Sequence, residues 1–304
     1  MGSLAVAAAA VLWAASGTYA RTLIDRGASP LEISEARAWI AFVVLGAFVL
    51  WRRTRDPVVR SETRGRVHPA IVAGFGLSIA GANYFYYSAI GRLPVAVAIV
   101  IQYTAPALVV LWLATVEKRR VSPRVALAVG AALAGVALLA GLPHLIASGH
   151  ANLSAAGVLF AAGSAFAFSG YILFGERLVP VYGPERTLTR GFGVAGTLWI
   201  VVQAFRGRPD TLLDGHLLPG VVLLGFIATV IPFMLFVWGL QRIGASRAGI
   251  FSTLEPLSAA LFAWWWLHQR LDGWQIAGAA LVIAAVAVVQ SEQQAAAPTP
   301  APLE

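Results

Sequence analysis

The sequence predicts an all-α polytopic membrane protein, with ten transmembrane helices arranged as two inverted five-helix repeats. Three observations predict it. Of 304 residues, 59% are hydrophobic and only 12% are charged, with a mean hydropathy of +0.76; an average soluble domain is about 45–50% apolar and about 25% charged. Apolar runs of about 20 residues, the length a helix needs to cross a hydrocarbon core of about 30 Å, recur along the whole chain. The second half of the chain then repeats the pattern of the first. A single water-soluble core cannot hide so much apolar surface, which excludes a soluble enzyme, a nucleic-acid binder and a disordered chain. The absence of cysteine excludes a disulfide framework and a thiolate metal site.

Ten runs are expected, at 3–22, 33–51, 69–90, 95–116 and 125–142, then at 153–175, 187–205, 217–240, 248–267 and 274–290. The first carries one charge, Arg21, near its far end, and its start is not basic, so it reads as a retained span rather than a cleaved signal. The second has Glu35 and Arg37 in its first turns. The next four are uncharged. The seventh has Arg190 near its start, the ninth has Glu255, and the eighth and tenth carry no charge. The runs are apolar on all sides, whereas a barrel strand alternates, and in lipid only a helix satisfies its own backbone. Gly27–Pro30, Gly91–Pro94, Ser122–Pro123, Tyr182–Pro184 and Gly244 punctuate them. Short connections leave no soluble domain. Residues 291–304, polar and rich in Ala and Pro, are expected to form a disordered cytoplasmic tail.

With ten spans both termini share a side. The loops on that side, 52–68, 117–124, 176–186 and 241–247, carry 14 Lys/Arg against 6 opposite. Positive charge is retained on the cytoplasmic side, so both termini are expected in the cytoplasm. The net charge of +8 is thus a topology signal, and no nucleic-acid partner is expected.

At a shift of 150 residues, ANYFYYSAIGRLPVAVAIVIQYTAP (from Ala82) aligns with PFMLFVWGLQRIGASRAGIFSTLEP (from Pro232). Arg92 meets Arg242, Ala98 meets Ala248 and Pro106 meets Pro256. At a shift of 153, Ser16-Gly17 meets Ser169-Gly170 and Arg37 meets Arg190. The repeats are 1–150 and 151–290. Five spans is an odd number, so the second repeat enters the membrane inverted, a recurrent plan of secondary transporters.

At Gln102-Tyr103-Thr104-Ala105-Pro106 followed by Glu117-Lys118, and at Leu254-Glu255-Pro256 followed by Gln269-Arg270-Leu271, the chain resembles the EamA-type drug/metabolite transporters. The resemblance covers about residues 3–290, and Asn83-Tyr84 with Gln102–Pro106 is most similar to the superfamily's amino-acid exporters. It implies ten helices around a central cavity and proton-driven efflux of small metabolites. His268-Gln269-Arg270 stands where the family commonly has Gly-Glu-Arg, so a coupling role for that glutamate does not carry over.

Ionisable groups inside spans are costly and mark function. Glu255, directly before Pro256, is the expected proton or substrate site. Arg37 and Arg190, the symmetry-related pair, are expected at opposite gates, with Arg190 close enough in depth to pair with Glu255. The other reading of each is a carboxylate satisfied by a neighbouring helix or an arginine snorkelling to headgroups. Candidate cavity residues are Trp13 and Ser16 on the first span, Asn83 and Tyr87 on the third, Gln102 and Tyr103 on the fourth, Ser164 and Tyr171 on the sixth, Trp238 on the eighth and Ser252 on the ninth. They are able to hydrogen-bond and stack on a small amphiphile; the competing reading is helix–helix packing. Trp264-Trp265-Trp266 reads as an interfacial belt.

The five histidines show no ligand spacing, and no nucleotide or hydrolase motif occurs; no metal, cofactor or direct ATP coupling is expected. The resulting expectation is an inner-membrane secondary transporter exporting amino acids or similar metabolites by alternating access, with protons as the driving ion. The alternatives are a multidrug or cationic-compound exporter of the same fold and, from another class, an intramembrane enzyme acting on lipid.

Overall fold

The computed structural model describes residues 1–55, 67–148, 154–206, 209–266 and 271–295. Every regular element among them is helical. The two expected apolar runs before the first basic loop form α1 (Gly2–Asp25) and α2 (Pro30–Arg55). Next come α3 (Pro69–Ile90), α4 (Val95–Gln102), α5 (Ala105–Thr115), α6 (Pro123–Leu139) and the short α7 (Leu142–Ala147). The second half holds α8 (Ala155–Tyr182), α9 (Pro184–Arg206), α10 (Asp210–Leu213) and α11 (Leu218–Gly225). A π-turn (Phe226–Val230) joins α11 to α12 (Ile231–Ile243), and α13 (Ala245–Ser252), α14 (Leu254–Trp266) and α15 (Gly273–Ala295) follow.

Local chemistry sets the boundaries. Three helices start on a side chain that caps a free N–H: His68 accepts from Ala70, Ser122 from Arg124 and Ser154 from Gly157. Pro69 and Pro123, which have no N–H to satisfy, occupy first-turn positions. Gly183 and Gly244 end α8 and α12 with φ of 75° and 78°, a region that favours glycine.

Seven helical stretches among the described residues are long and apolar enough to cross a membrane: α1, α2, 97–115, α8, α9, 218–243 and 273–291. The stretches at 69–90, 123–139 and 245–266 are helical too, the last with a break at Thr253, but shorter or more polar; α6 has 17 residues, and α3 carries Asn83 and three tyrosines.

Several expectations need correction. The run 95–116 is not one helix but two, α4 and α5, meeting at Tyr103–Thr104. The run 248–267 is likewise split, into α13 and α14, at Thr253. Pro106 and Pro256, the second and third residues of the second helix in their pairs, cannot donate back across the joint. The helices also outrun the apolar runs: α2 begins at Pro30 and α15 continues to Ala295. The expected tail disorder therefore fails for 291–295, because a helix does not stop where the hydrocarbon ends. Residues 296–304, His150 and the His268-Gln269-Arg270 departure lie outside the described residues.

The main packing partners are α3 with α8, α6 with α15, α1 with α12, and α2 with α9. At the α6–α15 crossing a Cβ on Gly135 would lie 2.8 Å from the Gly278 carbonyl, and one on Gly278 2.6 Å from that of Gly135. Only glycine lets these backbones approach so closely.

One end of the bundle is tied by ion pairs. Glu117, in the turn after α5, receives Arg177 and Arg119, both at 2.7 Å, and Arg119 also reaches Glu176 of α8 at 2.8 Å. Glu176 in turn accepts the Ala245 N–H at the start of α13. Arg52 pairs with Glu185 at the same end. At the other end Ser29 and Glu32 hold α10 through Thr211 and the Leu212 N–H, and His144 meets Asp272 at 2.9 Å.

Candidate functional site

A narrow cavity of about 70 Å³ lies within the bundle, between the two split helices. Trp13, Ser16 and Gly17 of α1 line it, with Asn83, Tyr86 and Tyr87 of α3. Gln102 and Tyr103 reach it from the first split, Arg37 from α2 and Glu255 from the second split; Phe168 and Phe233 also line it. Gly17 packs closely here, since a Cβ there would lie 3.3 Å from the Tyr86 hydroxyl.

The two charges are held in different ways. Tyr103, at the end of α4, donates its hydroxyl to Glu255 Oε2 at 2.6 Å. The two split helices, 152 residues apart at these positions, thus meet through one charge-assisted bond. Arg37 is 3% exposed. Its Nε donates to Thr229 Oγ1 at 2.7 Å and its Nη2 to the Ala228 carbonyl at 3.1 Å, and it lies 5.4 Å from the centre of the Tyr87 ring.

The reason for this arrangement is in the sequence of the neighbouring helix. Pro232 has no N–H, so the carbonyl four residues earlier, Ala228, loses its helical partner. The π-turn across 226–230 accommodates the defect; such turns cluster at functional sites. The guanidinium replaces the missing donor. Arg37 is therefore fixed at the cavity wall, which Glu255 also lines.

Toward the ion-paired end, the cavity is backed by aromatic rings. Trp13 meets Phe233 and Phe236 with centroids 5.2 and 5.3 Å apart. Tyr171 stacks against Phe75 at 5.4 Å and Phe168 at 6.0 Å. These side chains are buried.

Of the residues singled out in the sequence, the cavity gathers Trp13, Ser16, Asn83, Tyr87, Gln102, Tyr103, Arg37 and Glu255. Five others lie elsewhere. Ser164 donates to the Ala82 carbonyl of α3 at 3.1 Å and joins two helices. Ser252 donates to Gly249 within its own helix at 2.6 Å. Tyr171 is wholly buried among the rings, and Trp238 lies under Arg242, 3.4 Å from its guanidinium carbon. Arg190 does not pair with Glu255: it stacks over Tyr182 at 3.6 Å on the flank of the bundle. Arg37, not Arg190, shares the cavity with Glu255. Trp264 and Trp265 are exposed on α14, where a lipid-facing belt places them. Tyr86, Phe168 and Phe233 were not anticipated; Pro232 is the signal for Phe233, because a helix defect at a cavity exposes the residue beside it.

Among the described residues, apolar helices of membrane length surround a small charged cavity, the architecture of a multi-pass membrane protein. The chain belongs to the EamA-like transporter family, whose sequence pattern matches residues 1–141 and 155–291. It is 28% identical over 211 residues to the threonine/homoserine exporter RhtA of Salmonella typhimurium (strain SL1344), covering 69% of this chain and 68% of that protein. It is 25% identical to the uncharacterized inner membrane transporter YicL of Salmonella typhimurium (strain LT2), covering 86% of each. The fold is similar to that of a protein solved by crystallography (TM-score 0.75, 23% identity, 96% of this chain and 97% of the other).

Proposed function

We propose that this transporter exports small zwitterionic metabolites, amino acids first among them, from the cytoplasm across the inner membrane, driven by protons. One observation carries the reading: a fixed guanidinium and a carboxylate line the same small cavity. Arg37 suits the solute's carboxylate, for which a guanidinium is a shape-matched donor. Glu255 suits its ammonium. Gln102, Asn83, Ser16 and Tyr87 supply further polar contacts, and Trp13, Phe168 and Phe233 apolar ones. The similarity to a threonine/homoserine exporter supports the same substrate class.

Glu255 is also the proposed proton site. A carboxylate that binds either a proton or an ammonium group, but not both, couples their movements in opposite directions. A cationic-drug cargo is disfavoured by Arg37, which repels a lone cation in the cavity.

The proposed mechanism is alternating access between two inverted repeats, 1–150 and 151–290, each of five membrane-crossing segments, with both termini cytoplasmic. The packing supports it: α3 with α8 and α1 with α12 are the same contact with the repeats exchanged, while α2–α9 and α6–α15 pair equivalent segments. In this reading the ion-paired, aromatic-backed end is the closed cytoplasmic gate, and Arg37 and Glu255 await release or protonation from outside.

Purified protein in liposomes, given a panel of amino acids with and without a pH gradient, tests it. Gradient-stimulated flux of neutral amino acids is expected, with competition only from analogues keeping both charged groups. Equal competition by analogues lacking the amine or the carboxylate overturns the zwitterion reading.

A further inference from the structure

A second recess, on the flank of the bundle, holds a charge that the cavity does not use. Arg190 lies six residues past Pro184 in α9, about 9 Å along the helix. Its guanidinium stacks on Tyr182. Its Nη1 is shut off from solvent and has no hydrogen-bond partner among the described residues. Leaving a charged donor unsatisfied in such a place is costly. The acid on its own helix, Glu185, is taken by Arg52.

The comparison with Arg37 sharpens the point. Arg37 finds the carbonyl that Pro232 leaves free. At the aligned position α3 has Ala82, which keeps its N–H, so no equivalent acceptor is freed for Arg190. Among the described residues nothing partners this nitrogen, and the guanidinium borders a groove open to the flank.

The surroundings say what kind of partner. Arg190 sits in a groove walled by Val72, Ala73 and Leu77 of α3 and by Val194, Thr197 and Leu198 of α9. The floor is the close crossing of these helices, where a Cβ on Gly76 would lie 2.4 Å from Val194. Past Leu77 and Leu198 the groove continues to Gly81 and Phe85. From Pro69 to Phe85 is about 24 Å at helical rise, more than the depth of one leaflet, half of a core about 30 Å thick. Leu77, half exposed, and Phe166, 69% exposed, mark it as open to the flank.

We propose that this groove binds one phospholipid with an anionic headgroup, its phosphate on Arg190 and an acyl chain along α3 and α9. The site is separate from the transport cavity and does not depend on the cargo assigned there.

Native mass spectrometry of the delipidated full chain titrated with phosphatidylglycerol tests it. One tightly held lipid per chain is expected, with affinity at least about tenfold lower for Arg190→Gln, the scale of one lost charge-assisted bond. Arg53→Gln, which removes an exposed cation at the same end, is the control for general electrostatic attraction and should bind as the parent does. Thr197→Trp keeps the charge but blocks the acyl path, and should also weaken binding. Inorganic phosphate should not compete. Undiminished binding by folded Arg190→Gln, equal losses for Arg53→Gln, or displacement by inorganic phosphate alone would overturn the proposal.

Discussion

Arg37 and Arg190 occupy aligned positions in the two halves, yet their surroundings differ completely. Arg37 is 3% exposed, bonded to Thr229 and Ala228, and lines the cavity with Glu255. Arg190 stacks on a tyrosine at the flank with a nitrogen left over. Neither arginine's own helix explains this. The facing helix does: Pro232 stands in one and Ala82 at the aligned place in the other. The neighbouring helix, not the arginine's own, thus decides which of the two lines the cavity.

The largest effect that sharpens this comparison is expected at the group Arg37 faces. Glu255 is the proposed proton site, and a hydrogen bond to a charged group, such as the one it accepts from Tyr103, contributes about 1.5–3 kcal/mol. Glu255→Gln should therefore reduce pH-gradient-driven export about thirtyfold, with normal membrane insertion. Export by Glu255→Gln that still responds fully to the gradient would end the coupling role.

The direct comparison comes next. Arg37→Gln should raise the amino-acid KM about tenfold or more, and Arg190→Gln should leave it within about twofold, since a hydrogen bond to a charged group contributes about 1.5–3 kcal/mol. Equal shifts in the two variants would break the comparison. Smaller again is Pro232→Ala. It returns an N–H to the Ala228 carbonyl, so Arg37 loses one of its two acceptors but keeps Thr229. A rise in KM of about two- to tenfold is expected, the scale of one neutral-acceptor bond. An unchanged KM would show that the π-turn, not the missing N–H, positions the guanidinium.

The comparison also explains what was legible in the sequence. The helices were, because an apolar run of membrane length has few alternatives. The splits were foreshadowed by Pro106 and Pro256, but the sequence does not say whether a proline bends a helix or divides it. Ser164 and Ser252 were misjudged because a hydroxyl at helical spacing looks the same whether it faces a cavity or a carbonyl. The Arg37–Glu255 relation was hidden by helix length. With α2 starting at Pro30 and α13 at Ala245, Arg37 lies about 10 Å deep from one side and Glu255 about 15 Å from the other. Two long side chains close most of the rest of a core about 30 Å thick. Counting from the edges of the apolar runs placed both too shallow.

The smallest expected effect concerns the ion-paired end. Burial works against ionisation of Glu117, but the hydrogen bond from Arg177 and the charges of Arg119 and Arg177 outweigh it and hold the carboxyl below its ordinary value of 4.5. A folded-state pKa below the unfolded one contributes stability that is present above about 4.5 and is lost as pH falls through the depressed value. Both arginines are more than 40% exposed, so solvent screening limits the contribution to about 1 kcal/mol or less. Thermal unfolding of the purified protein between pH 7 and 4 should therefore show a small loss of stability at the acid end, reduced in Glu117→Gln. If this end is also the gate that opens to the cytoplasm, the same variant should accelerate exchange transport while lowering stability. A variant that loses stability without any change in exchange would make the cluster a structural tie and leave the aromatic layer around Trp13 and Phe236 as the barrier.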